Sequence, residues 1–251
     1  MSKKRPRTTP ASDTPTKHEI SALEPKVLRP MAEHLAKKWD DSSIQFARNL
    51  QGGWEVWLQV ELASVLLQQL SYQVKEGDNG YVVVREYDCW NSSNGGKGKG
   101  KCDIWIEPSP GPDHPILTDN SAIVIELKVE YAYLKIDDHD KRNLNGTIIR
   151  NINYVRGRFE EDMAKMASGL TPDARKRIQG CGIRKLCVGV TSRPEDLKGW
   201  KEIQEKYGTQ VNYVHLREQR RANNDLDPQG GLFMLWWEDS SEERKNKQSK
   251  L

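Results

Sequence analysis

The chain has 251 residues, 36% of them hydrophobic and 30% charged, with a net charge of +3. That length can bury the core of one domain, and no apolar run approaches the roughly 20 residues a helix needs to cross a bilayer, so no membrane partner is expected. Four cysteines (Cys89, Cys102, Cys181 and Cys187) without C-x-x-C spacing read as reduced thiols rather than a disulfide framework or a structural zinc site. The N-terminus carries no apolar signal segment, which gives an expected intracellular location. So small a net charge does not imply a nucleic-acid partner; only the local distribution of charge can.

Residues 1–27 are rich in Lys, Arg, Thr, Pro and Ser and read as a disordered basic tail. Within it Lys3-Lys4-Arg5-Pro6-Arg7 fits a nuclear localisation signal or a phosphate-grabbing arm, and equally a solubilising tail. A domain is expected over 28–239 and a second disordered tail over 240–251. Leu28 to Trp39 reads as a short helix. Trp54 to Leu70, WLQVELASVL at its centre, is a helix of good formers entered through a Gly pair. It is apolar nearly all round and is expected to be buried against a sheet. Glu61 lies in the middle of its apolar stripe, between Leu58 and Val65, where an acid invites a functional reading. Glu55 falls near the first turn, where the helix dipole accommodates it.

Tyr81 to Trp90, YVVVREYDCW, is the first predicted strand. The glycine-rich segment SSNGGKGKGK follows, with Lys97, Lys99 and Lys101. It lacks a G-K-[ST] ending and precedes a strand, so it is a basic loop and not a phosphate-cradling P-loop. Lys101 to Glu107, KCDIWIE, is the second strand, with Asp103, Trp105 and Glu107 alternating against Cys102, Ile104 and Ile106. After a Pro-rich loop comes Ser121 to Tyr131, SAIVIELKVEY, around which the chain is organised. Ile123, Ile125, Leu127 and Val129 share one face, and Val124, Glu126, Lys128 and Glu130 the other. Its β-branched, apolar run belongs inside a sheet, and three charges on one face of such a strand need partners.

The acidic run Asp137-Asp138-His139-Asp140 reads as a solvated loop. The stretch from 144 to 170 becomes helical through NINYVRGRFEEDMAKMASGL, ending near Gly169 and Pro172. Its Arg150, Arg156, Arg158 and Lys165 are offset by Glu160, Glu161 and Asp162, the mark of a mixed solvated helix. Arg184 to Ser192 is a strand, Pro194 to Tyr207 a helix, and Val211 to Leu216 and Leu232 to Trp237 are strands. A polar loop joins the last two.

The expected fold class is therefore α/β, with helices flanking a central sheet. If the second and third strands are hairpin neighbours, Asp103 lies across from the Glu126/Lys128 face. Asp103, Glu126 and the Leu127 carbonyl would then form part of the oxygen shell of a magnesium or manganese ion. Such an ion polarises phosphate and lowers the pKa of bound water. Lys128 would stabilise charge in the transition state, and Glu61 would complete the acidic cluster.

A mid-helix acid (Glu61), a strand Asp (Asp103) and Glu126-x-Lys128 on the next strand resemble the motif of the PD-(D/E)XK nuclease superfamily, which includes restriction endonucleases and archaeal-type Holliday-junction resolvases. The resemblance spans residues 54 to 192. Cys102 stands where the family pattern carries proline, and the connection from Asp103 to Glu126 is long. The resemblance implies a restriction-endonuclease-like mixed sheet, Mg2+ or Mn2+ dependence and phosphodiester hydrolysis, with DNA favoured over RNA as partner. The alternative is a catalytically inactive nucleic-acid-binding or protein-interaction module on the same fold. The oligomeric state stays open, a homodimer included.

Overall fold

A computed structural model describes residues 12–38, 53–72, 81–91, 100–108, 121–129, 154–178, 181–191, 197–220 and 226–239. In chain order the elements are β1 (Thr16–His18), a 3-10 turn (Ile20–Ala22), α1 (Leu28–Lys38), α2 (Gly53–Tyr72), β2 (Tyr81–Trp90), β3 (Gly100–Pro108) and β4 (Ser121–Val129). They are followed by α3 (Tyr154–Ala167), α4 (Pro172–Arg177), β5 (Gly182–Thr191), α5 (Lys201–Tyr207), β6 (Asn212–Arg220) and β7 (Leu226–Asp239). Among the described residues no helix is long and apolar enough to cross a membrane.

The seven strands form one mixed sheet in the order β1-β6-β7-β5-β4-β3-β2. Strands β2, β3 and β4 make an antiparallel meander, and β5 then lies parallel to β4, with α3 in the intervening chain. A parallel pair cannot be joined by a tight turn, so the chain between β4 and β5 has to cross a face of the sheet. Strand β4 is interior and buried along nearly its whole length, as its composition requires.

Alternation on β4 separates two cores. Ile123, Ile125, Leu127 and Val129 join the cluster under α1 and α2, which supply Met31, Leu35, Leu58, Leu62 and Leu66. Ala122 and Val124 join the cluster on the opposite face, with Phe159, Met163 and Met166 of α3, Trp105, and Trp200 ahead of α5. Trp236 and Trp237 divide between these two cores, so the pair serves sheet packing.

Several elements differ from the sequence expectation. Thr16–His18 pairs in parallel with β6, and Leu23 and Val27 are buried, so the packed structure starts upstream of residue 28. Helix α2 is not covered all round: Val56, Val60 and Leu67 are exposed on its outer side. Pro172 starts a helix rather than only ending one, because Thr171 caps it by accepting from the Ala174 amide at 3.2 Å and proline suits the first turn. Of the helix expected from Pro194, the described part is helical over Lys201–Tyr207, with Gly199 in the left-handed region at φ +74° just before it, and residues 194–196 lie outside the described residues. The polar stretch after Leu216 belongs in part to the β6–β7 pair, which extends to Arg220↔Leu226. The basic N-terminal segment, Lys97, Lys99, Glu130, the 137–140 acids, Arg150 and the tail from 240 lie outside the described residues.

Candidate active site

The two motif strands are direct neighbours, with Ile104↔Ile125, Trp105↔Val124 and Ile106↔Ile123 in register. This pairing stops at Ile104, one residue short of Asp103. On the other side of β3 the register passes from Arg85↔Ile104 to Tyr87↔Cys102, skipping Glu86, which has φ +51°. A non-glycine residue in that region marks a local kink. Cys102 consequently packs in the same core as Trp105, three residues on, and not on the Ile104 face as simple alternation requires. Asp103 sits at this irregularity and replaces the missing ladder bond with its own side chain. Its Oδ2 accepts the Leu127 amide at 2.6 Å, and its Oδ1 accepts Gln59 Nε2 of α2 at 2.8 Å. Arg85 in turn donates to Gln59 Oε1 at 3.2 Å, so an Arg–Gln relay backs the carboxylate.

Glu126 and Lys128 face α3, and both are buried. Room for the lysine comes from β5, whose partner for Lys128 is Gly189. A Cβ at Gly189 would meet the Phe159 ring at 3.3 Å, so the glycine also lets α3 approach the sheet closely. Lys128 Nζ lies 3.1 Å from Asp162 Oδ2, 3.4 Å from Glu55 Oε1 and 4.0 Å from Asp103 Oδ2, and donates to the Leu127 carbonyl at 2.8 Å. Glu126 has a different set of partners. Its Oε1 accepts the Trp90 indole N–H and lies 2.8 Å from Lys165 Nζ of α3.

Glu61 is not brought to this site. It bonds His34 of α1 at 3.0 Å. The reason is helical geometry: Glu55 and Gln59 are four residues apart and share the face over Asp103, whereas Glu61 lies about 160° around the axis from Gln59. The acid that α2 does bring to the site is the one in its first turn. Asp162 and Lys165 were hidden by their charged neighbours, but the buried positions Val155, Phe159, Met163 and Met166 place Asp162 within the inward stripe of α3. That periodicity was the available signal. Glu107 is peripheral, held by Arg177 Nε at 2.6 and 2.7 Å and by Trp105 Nε1 at 2.8 Å. Arg156 serves the fold by donating to the Lys198 and Gly199 carbonyls, and Arg158 pairs with Glu161 in solvent.

Four carboxyl groups (Glu55, Asp103, Glu126 and Asp162) thus face two ammoniums (Lys128 and Lys165), an imbalance of two negative charges in a largely buried setting. Uncompensated buried charge is expensive, and the groups respond by holding protons. Burial, then the neighbouring Asp162 carboxylate, pushes Glu126 up to about 8 against the pull of Lys165. Burial lifts Asp162 to about 6, although Lys128 and Lys165 pull the other way. For Lys128 burial favours the neutral amine, but Asp162, Glu55 and Asp103 together outweigh it and raise its pKa, so it stays an ammonium. Burial likewise opposes the charge on Lys165, and Glu126 prevails.

An all-oxygen donor set with two surplus negative charges fits a hard divalent cation. Among the described residues no three His, Cys, Asp or Glu side chains form a ready cage for an ion. The Lys128 ammonium lies among three of the acids and is itself their counterion. Magnesium commonly uses only one or two carboxylates and completes its shell with water and substrate.

In comparisons with known proteins, no family model, curated protein or solved structure matches this chain.

Proposed function

We propose that the chain is a Mg2+- or Mn2+-dependent nuclease of the PD-(D/E)XK type, with a restriction-endonuclease-like fold, hydrolysing phosphodiester bonds in DNA in preference to RNA. One observation carries this reading: Asp103 from β3, with Glu55 and Asp162 from helices on either face, surrounds Lys128, and Glu126 of the neighbouring strand is held by Lys165 beside Asp162, with a net excess of negative charge. The order helix, three-stranded meander, helix, parallel strand supports it, because that order brings α2 and α3 to opposite faces of β3 and β4.

Asp103, Glu126 and the Leu127 carbonyl would hold the cation, with Glu55 and Asp162 neutralising its outer side. A cation held by these residues would supply polarisation of a phosphate oxygen and a lowered pKa for water. The Gln59 amide fixes the rotation of Asp103 so that each oxygen keeps capacity beyond its one protein donor. Trp90 fixes Glu126 in the same way from the protein interior.

The test is cleavage of single-stranded, duplex and branched DNA with Mg2+ or Mn2+, and its loss in EDTA. Absence of cutting on all substrates with both ions contradicts the reading. A second reading, a catalytically silent binding or interaction module, is favoured by the enclosure of Lys128 by acids on several sides. DNA binding that survives EDTA without cleavage by either metal selects it.

A further inference from the structure

The two lysines of the cluster are not equivalent. The Lys128 side chain is 7% exposed: its Nζ donates to the Leu127 carbonyl and Glu55 Oε1 and lies 3.1 Å from Asp162 Oδ2 and 4.0 Å from Asp103 Oδ2, so it is enclosed by the cluster's own acceptors. Lys165 is 30% exposed, with Glu126 as its one ion-pair partner among the described residues. Its stem runs past the start of β3, where a Cβ on Gly100 would lie 3.6 Å from Lys165 Cε and 3.1 Å from Trp90 Cβ. Lys165 and the Trp90 indole meet at the same Oε1 of Glu126, so an N–H donor at the solvent-facing side of the site stands directly against the central acid.

Resting on the nuclease reading above, we propose that Lys165 of α3, rather than Lys128, is the ammonium that touches the phosphate group being cut. An approaching phosphodiester carries its negative charge to the more exposed cation of the cluster. Lys165 meets a non-bridging oxygen while its bond to Glu126 keeps it in place. Lys128 is then a positioning residue that holds Glu55, Asp103 and Asp162 together.

The experiment compares the intact protein with Lys165→Met, Lys165→Arg and Lys128→Met, using duplex DNA and Mn2+ for kinetics and the same duplex in EDTA for binding. Lys165→Met is expected to reduce kcat about a hundredfold, the size of effect seen when one charge-stabilising donor is removed. Its log-log slope of DNA affinity against salt should fall by about one, as for loss of one phosphate contact. Lys165→Arg should recover at least about tenfold in kcat, since it retains the charge. Lys128→Met should lower the melting temperature, because three acids lose their shared counterion. A Lys165→Met enzyme that cuts within about threefold of wild type, with the salt slope intact, overturns the assignment while leaving the nuclease reading standing. Wild-type protein that cuts no DNA overturns both. Should Lys165→Met not fold, Lys165→Arg decides: a kcat below that of Lys128→Met would contradict the proposal.

Discussion

Strand β3 carries two acids four residues apart, Glu107 buried and Asp103 half-buried, and they live in opposite kinds of surroundings. Glu107 has one guanidinium, Arg177, joined to it through two hydrogen bonds and steadied over the Tyr87 ring at 5.1 Å, plus the Trp105 N–H. One negative charge meets one positive charge and the donors are satisfied, which is the pattern of a structural ion pair. Asp103 belongs to the other pattern, in which four acids share two ammoniums and part of the deficit is met by protons on Glu126 and Asp162. A balanced pair has little left to do, whereas an unbalanced cluster stores capacity for a cation. The contrast marks where on the sheet the proposed site lies without any appeal to the motif.

Substitutions that separate these two patterns differ in size. Glu126→Gln should have the largest effect, reducing metal-dependent cleavage about a thousandfold, since it removes an anchoring charge from the centre of the site. Thermal stability without metal should be retained or raised, because the amide keeps an acceptor for Trp90 while one surplus charge disappears; kinetics and melting curves on the same sample check this. Glu107→Gln should do the reverse, lowering stability by about 1 kcal/mol with cleavage nearly unchanged, the value being modest because Arg177 is partly in solvent.

The unbalanced cluster should also appear in the pH dependence of stability. Glu126 moves from its ordinary 4.5 to about 8, and Asp162 from 3.8 to about 6. Between those limits the folded state holds more protons than the unfolded state, so stability without metal falls as pH rises from about 5 to 8. A saturating divalent cation should flatten that slope, and denaturant midpoints with and without Mg2+ would show it. A smaller effect is expected for Gln59→Leu, which releases Asp103 from its relay: about a tenfold loss of cleavage, consistent with loss of an outer-shell partner. The smallest belongs to Glu61→Gln, with cleavage unaltered and stability within about 0.5 kcal/mol, since its contact is the partly exposed His34.

Much of this arrangement was legible in the chain itself. Period-two alternation located β2, β3 and β4, and the charges on β4 announced a buried polar centre because an interior strand has no solvent to offer them. Two things were not legible. The phase of each helix against the sheet decides between Glu55 and Glu61, and composition pointed to the one that lies away from the cluster, since an acid in a first turn already has an explanation in the helix dipole. The kink at Glu86 and Asp103 breaks the alternation of β3 without shifting its register against β2, and an irregularity of this kind depends on pairing with both neighbouring strands. Asp162 was masked by Glu160 and Glu161, although its spacing from Phe159 and Met166 marked it as inward.

The central claim is that a surplus of negative charge between β3, β4, α2 and α3 exists to take up a divalent cation. Calorimetric titration of Mn2+ into the intact protein near pH 7, in buffers of different ionisation enthalpy, reads ion uptake and proton release together. Binding accompanied by proton release, with both lost in Glu126→Gln and retained in Glu107→Gln, is the predicted result. Absence of Mn2+ binding, or binding that Glu126→Gln leaves unchanged, would contradict it.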